Sequence, residues 1–243
     1  MTLRRRASSA LRRHLRSVPL AAMLLLLFVS SAGAQQLPPP FPRTNATLLF
    51  QNARINVYDI VWPKGQPTAM HRHVYDQVGT YYARGGRTIT TPDGQARSAM
   101  TEVGALSTTR KGTTHIEEGN SDPPLQAVFI ELKDEKPSGL PPADAGLSPF
   151  PRDGAKQVFD DERVTVWDVQ WAAGAAGFTY RPARETVIVW LGATRVQTAA
   201  SADAAFASVV DIAPGGMRHL DRGAAAQLAV VGAPVRALIF ELK

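Results

Sequence analysis

Two stretches decide how this chain is read: Gly65-Gln66-Pro67-Thr68-Ala69-Met70-His71-Arg72-His73, and later Arg110-Lys111-Gly112-Thr113-Thr114-His115. Each runs from turn residues into histidine. His71 and His73 stand two apart, so on an extended strand both imidazoles point to one face. If that face lines a barrel, His115 from a later strand completes a set of three nitrogens around one metal ion. Neutral imidazole suits iron, zinc, copper or nickel, and such a set leaves positions open to water or substrate. Taken alone, His71 and His73 could equally serve as strand hydrogen-bonding groups, and His115 gains meaning only from Gly112 and the first pair.

Outward from these stretches the chain repeats itself. Pro40-Phe41-Pro42-Arg43 returns as Pro149-Phe150-Pro151-Arg152, and Phe50, Arg54, Val57, Asp59, Trp62 and Gly65 return as Phe159, Arg163, Val166, Asp168, Trp171 and Gly174. The copies close alike, on Glu131-Leu132-Lys133 and Glu241-Leu242-Lys243. Repetition on this scale means two copies of one domain, not a solenoid of short units. The boundaries read as a leader at 1–34, an N-terminal arm at 35–47, a first domain at 48–133, a Pro-, Gly- and Ala-rich linker at 134–148 and a second domain at 149–243.

Both copies read as all-β. Arg54 to Trp62 and Arg163 to Trp171 alternate apolar and polar residues as half-buried strands do. Turn signals come at Pro63-Lys64-Gly65, Gly85-Gly86, Pro92-Asp93-Gly94 and Lys111-Gly112, a rhythm that suggests a sandwich or barrel. The main helical candidate is 201–210, whose alanines fit a loop-rich hairpin as well. Asp59 and Asp168 recur with and without the histidines, which favours a structural role. Glu117 and Glu118 read as a solvated turn.

These residues resemble the cupin superfamily. Its first motif, Gly-x5-His-x-His-x3,4-Glu-x6-Gly, is met by Gly65, His71, His73 and Gly85. Its second, Gly-x5-Pro-x-Gly-x2-His-x3-Asn, is met by Gly104, Gly112 and His115, with Arg110 in place of proline and Asn120 one residue late. In the second copy, Pro214-x-Gly216-x2-His219 matches the second motif. The resemblance covers nearly all of the chain after the leader and implies two tandem cupin (jelly-roll) barrels. It implies a metal on His71, His73 and His115: a divalent ion, iron first, with manganese, nickel, copper or zinc as alternatives. The cupin glutamate is missing: a three-residue gap puts Gln77 there and the four-residue gap that meets Gly85 puts Val78, with Asp76 just before, able to reach inward only at a bulge. Gln77 either supports the site or offers its amide oxygen as a weak fourth ligand. In the second copy Tyr180 and Pro182 replace His71 and His73, and Glu185 matches Asp76, so this barrel is degenerate and its His219 a structural residue.

The chain has 243 residues, 27 Lys+Arg against 21 Asp+Glu, and no cysteine. Arg4, Arg5, Arg6, Arg12, Arg13 and Arg16 all precede Leu20, and no acid lies before Gln35. The chain from Gln35 onward is therefore formally neutral, which excludes the basic stripe of a nucleic-acid binder. The arginines, the apolar run Leu20 to Val29 and Ala32-Gly33-Ala34 read as a signal peptide cleaved after Ala34, leaving no transmembrane span and placing the protein in the bacterial periplasm or outside the cell. Without cysteine there is no disulfide, thiolate site or cysteine nucleophile.

Three functions compete. The first is a metal-dependent oxidoreductase, resembling the three-histidine cupin dioxygenases, on a small organic substrate. The second is a non-catalytic periplasmic cupin that binds a small ligand or partner, its metal structural or absent. The third is a metal-free cupin whose histidines hold an anion. An open pocket over converging imidazoles would favour catalysis, and a plugged one binding or structure. Homo-oligomers are expected among cupins, although two tandem barrels already form a pseudo-dimer.

Overall fold

In the computed structural model the described residues are 36–134, 154–174, 177–199, 208–224 and 226–243. The leader, nearly all of the linker and the second Pro-Phe-Pro-Arg sequence lie outside them. The first copy supplies β1 (Ala46–Gln51), β2 (Ile55–Trp62), β3 (His71–Arg72), β4 (Asp76–Ala83), β5 (Gly85–Thr90), β6 (Ala96–Thr101), β7 (Leu106–Thr109), β8 (Thr114–Gly119) and β9 (Leu125–Leu132). The second supplies β10 (Lys156–Asp160), β11 (Val164–Trp171), β12 (Phe178–Tyr180), β13 (Thr186–Trp190), β14 (Thr194–Ala199), β15 (Ser208–Ile212), β16 (Met217–Leu220), β17 (Ala226–Val230) and β18 (Val235–Leu242). No helix occurs among the described residues, and none is long and apolar enough to cross a membrane. The helical candidate fails where it is described: Ser208, Val209 and Val210 open β15, as valines on a pleated surface do.

Each half is a jelly roll of two antiparallel sheets. The first half orders its strands β1-β2-β9-β4-β7 and β3-β8-β5-β6; the second orders them β10-β11-β18-β13-β16 and β12-β17-β14-β15. Every strand of the first half thus has its counterpart nine strands later, which is the sequence repeat made structural. Residues 37–243 form one compact unit.

The unity comes from strands buried on both faces. Along β2, Ile60 and Trp62 join Tyr81, Leu125, Ala127 and Phe129 inside the first half. Ile55 and Val57, on the opposite face, join Val78, Val128, Ile130 and Leu132 in a layer shared with Val164, Val166, Val187, Val189, Leu238, Phe240 and Leu242 of the second half. Ile188, Trp190 and Ile239 belong to the second half's own interior. The two faces of each strand alternate with the pleat, so β9 and β18 read as almost unbroken apolar runs.

At the edge of this layer the repeats exchange arginines. Arg54 donates to Glu185 Oε2 at 2.9 Å and to the Lys243 carbonyl at 2.8 Å. Arg163, its repeat partner, donates to Asp76 Oδ2 at 3.3 Å and to the Lys133 carbonyl. The swap is the pseudo-symmetric contact expected of a self-complementary interface.

Because the shared layer belongs to both halves, they are expected to unfold together. Chemical denaturation should show one transition, and Phe240→Ala, at a fully buried position in that layer, should lower stability by about 3–5 kcal/mol without dividing it into two. A second transition in the variant or the wild type would refute this coupling.

Candidate metal centre

β3 is short, and its surroundings place its histidines. Thr68 donates its amide to the Glu117 carbonyl at 2.8 Å and accepts the Glu117 amide on Oγ1 at 2.9 Å. That pairing brings the Ala69 carbonyl to 3.0 Å from His71 Nδ1. Beyond β3, His73 donates its amide to the Thr113 carbonyl, and Gly112 donates to the His73 carbonyl. Gly112 sits at φ 88°, which only glycine adopts without strain. The turn before β8 therefore docks onto His73, and register pairs His71 with His115.

The three rings converge. One nitrogen from each of His71, His73 and His115 lies within 4.8 Å of the others, and the Nε2 atoms of His73 and His115 stand 3.3 Å apart. All three residues are buried, at 3%, 4% and 6% exposure. Two nitrogens bound to one ion at about 2.1 Å would stand roughly 3.0–3.4 Å apart, so the His73–His115 pair is already at that spacing. His71 gives its Nδ1 hydrogen to Ala69, leaving the Nε2 lone pair, and that buried atom has no hydrogen-bond partner; nor has His73 Nδ1. A backbone carbonyl orienting a ligating imidazole is a recurring support in metal sites. Burial lowers the pKa of His71 and of His115. Burial, with His115 and His71 alongside, takes His73 down to about 4. At neutral pH all three are neutral and present lone pairs, so the donor set fits a divalent ion.

Comparison with known proteins agrees with this architecture. No family model matches the chain, and no curated protein does. Among solved structures, AerE from Microcystis aeruginosa shares 12% identity over 86% of this chain and 99% of its own, with a TM-score of 0.60. The oxalate decarboxylase of Lactobacillus farciminis, in a formate complex, shares 12% over 83% and 85%, with a TM-score of 0.52. A cupin 2 conserved barrel domain protein from Leptotrichia buccalis shares 7% over 82% and 88%, also at 0.52. The chain has a bicupin fold.

Within this bicupin the other candidate residues take up distinct places. Gln77 lies on the inward face of β4 with Gly79 and Tyr81, is 5% exposed, and its Nε2 has no partner. Asp76, next to it, points the other way: it accepts the Lys111 amide at 2.9 Å and pairs with Arg163 of the second half. Trp62 and Tyr81 are core residues, whereas Tyr82 donates to Asp59 at 2.6 Å. Asp168, the repeat partner of Asp59, takes two hydrogen bonds from Arg236, so both aspartates hold structural contacts.

Two expectations need correction. Glu117 does not form a solvated turn. It lies two residues beyond His115 on β8, shares its inward face and is 7% exposed. Its Oε1 lies 3.8 Å from His115 Nε2, and it receives hydrogen bonds from Arg43, Arg87 and Trp62 Nε1. Burial alone would raise this carboxyl, but the Arg87 and Arg43 guanidiniums outweigh that and hold it at about 2. The signal for it is the same period-two spacing that links His71 to His73.

The second correction concerns His219. Its motif match is out of frame, because β16 pairs Val187 with His219, on the strand equivalent to β7. Gly223 donates to the Pro182 carbonyl at 2.8 Å as Gly112 does to His73, and Tyr180 pairs with Ala226 as His71 pairs with His115. The second half thus carries Tyr180, Pro182 and Ala226 at the three histidine positions. His219 instead bonds Glu185 at 2.8 Å and stacks on Phe50 of the first half.

These shifts set a pH dependence. His73 has a folded pKa below its ordinary value of 6.5, so the unfolded chain binds more protons between pH 6.5 and about 4, and stability falls as pH drops through that window. Thermal melts of metal-free protein should show a falling midpoint from pH 6.5 to 4, and a shallower fall for His73→Gln. Equal slopes for the two proteins would remove His73 as the cause.

Proposed function

We propose that this chain is an exported metal-binding cupin that works as a metal-dependent, dioxygenase-like oxidoreductase on a small organic substrate. The observation that carries the reading is the convergence of three buried neutral imidazoles, with His71 forming part of the wall of a cavity of about 410 Å³. That volume lies in the range of small-molecule sites. Of the three histidines the cavity touches His71, on the side where Thr68 and Ala69 also line it. Export rests on the leader sequence.

His71 through Nε2, with His73 and His115, would hold the ion, and Gln77 would support it or approach as a weak fourth ligand. The ion supplies Lewis-acid polarisation and, for a redox-active metal such as iron, electrons at the positions the imidazoles leave free. The chain's own residues do the rest. Ala69 fixes the orientation of His71. Trp62 and prolines 38, 39, 40 and 42 wall the cavity, which would hold a substrate beside His71.

The acids disfavour a mechanism built on proton abstraction. Glu117 is a poor base at about 2, and Asp76 is engaged outside the barrel. A dioxygenation consumes O₂ as its only oxidant and places both oxygen atoms in the product, so it needs no external reductant.

The test is metal content by mass spectrometry on protein purified through its export route, beside the His71→Ala, His73→Ala double variant. Near-stoichiometric iron, manganese, nickel or copper is expected in the wild type and at least about tenfold less in the variant. Oxygen uptake in a screen of small organic substrates should track the metal. No metal in either protein after reconstitution would overturn the proposal.

A further inference from the structure

Beside the histidines of the first half two partly buried arginines meet one buried carboxylate. Arg43 Nη2 binds Glu117 Oε2 at 3.1 Å, and Arg87 Nη1 binds Oε1. Their guanidinium carbons lie 5.7 Å and 4.8 Å from the Trp62 ring, so two cations share one indole and one carboxylate. Glu131, the other buried acid on the inward faces of this half, receives the Asn56 amide at 2.8 Å and has Lys133 as its neighbouring cation. Among the described residues Glu117 is the acid that acts on Arg43. The cluster of Arg43, Arg87 and Glu117 therefore carries one unbalanced positive charge, and three neutral imidazoles do nothing to reduce it. Charge held partly out of water without a full counter-charge favours an anion beside it, and a divalent ion on the histidines would add to the imbalance.

Arg43 is the member of the cluster that reaches the cavity. It lines the same space as His71, Trp62, Thr68 and Asn45. One of its five N–H donors is used on Glu117, and its Nε is buried without a partner. The ring of Phe41, 5.6 Å from its guanidinium carbon, and that of Trp62 pack against it, so the group is held in place before any ligand arrives. A fixed guanidinium with unused N–H donors, lining a half-open cavity, is suited to recognise a planar carboxylate.

We infer that the cavity selects a small organic carboxylate, its acid group taken by Arg43 and the rest of the molecule lying toward His71. This rests on reading the three histidines as the working site proposed above and names the substrate class of that site. Arg43 here is a substrate-binding residue, and Glu117 with Trp62 and Phe41 positions it.

Calorimetric titration of the full chain, metal-free and metal-loaded, tests it with malonate and benzoate against their uncharged amides, malonamide and benzamide. At least one acid is expected to bind at least about tenfold more tightly than its amide. Arg43→Gln should lose about that factor, and Arg43→Lys, which keeps the charge, should lose less. Metal content, measured in parallel, should be unchanged by Arg43→Gln. Should Arg43→Gln fail to fold, the acid–amide comparison on the wild type decides alone. The inference falls if neither acid binds in either form, if amides bind as well as acids, or if a folded Arg43→Gln binds as the wild type does. Arg43-dependent binding of an acid by protein that takes up no metal would sustain the inference and overturn the metal reading instead.

Discussion

The layer of Ile55, Val57, Val128, Ile130, Val187, Val189, Leu238 and Phe240 between the halves is the contact on which the remainder rests. It buries the outer face of one sheet in each half, so the central strands β2, β4, β9, β11, β13 and β18 have apolar neighbours on both sides. With that face covered, the inner faces of the first half are free to carry something other than a packed core. There the inward positions hold three histidines, Gln77, Glu117 and Glu131 among the aromatics. The second half fills the matching strands with Ile188, Trp190 and Ile239. One half carries the histidine cluster and the other supplies the second face that keeps its sheet buried.

The site is an electrostatic problem as much as a coordination one. Burial keeps the imidazoles neutral and ready to donate lone pairs, while the same burial pushes the Glu117 carboxyl up, an effect that Arg87 and Arg43 outweigh. Those arginines suppress the carboxylate as a base, and Arg43 brings a positive charge to the cavity wall.

Much of this is legible in the residues. The two-residue spacing of His71 and His73 implies one face, the repeated Phe-x3-Arg-x2-Val-x-Asp-x2-Trp pattern implies two copies, and the turn glycines imply short strands. Glu117 escapes such a reading because two adjacent acids before a glycine look like a turn, although its spacing from His115 carries the same information as His71 to His73. Arg43 reads only as part of a repeated tetrapeptide. Its partner Glu117 lies far along the chain, and nothing local connects them.

The sequence by itself determined the strand alternation, the duplication and the grouping of the histidines, because each is written in short-range periodicity that any extended chain must obey. The tertiary structure alone decided that His219 stands out of frame with His115, that Asp76 turns toward Arg163 while Gln77 turns inward, and that Arg43 and Arg87 meet at one carboxylate. Those outcomes depend on strand register and on contacts between distant segments. A shift of one residue in register reverses the face a side chain occupies, and only the assembled sheets hold that register.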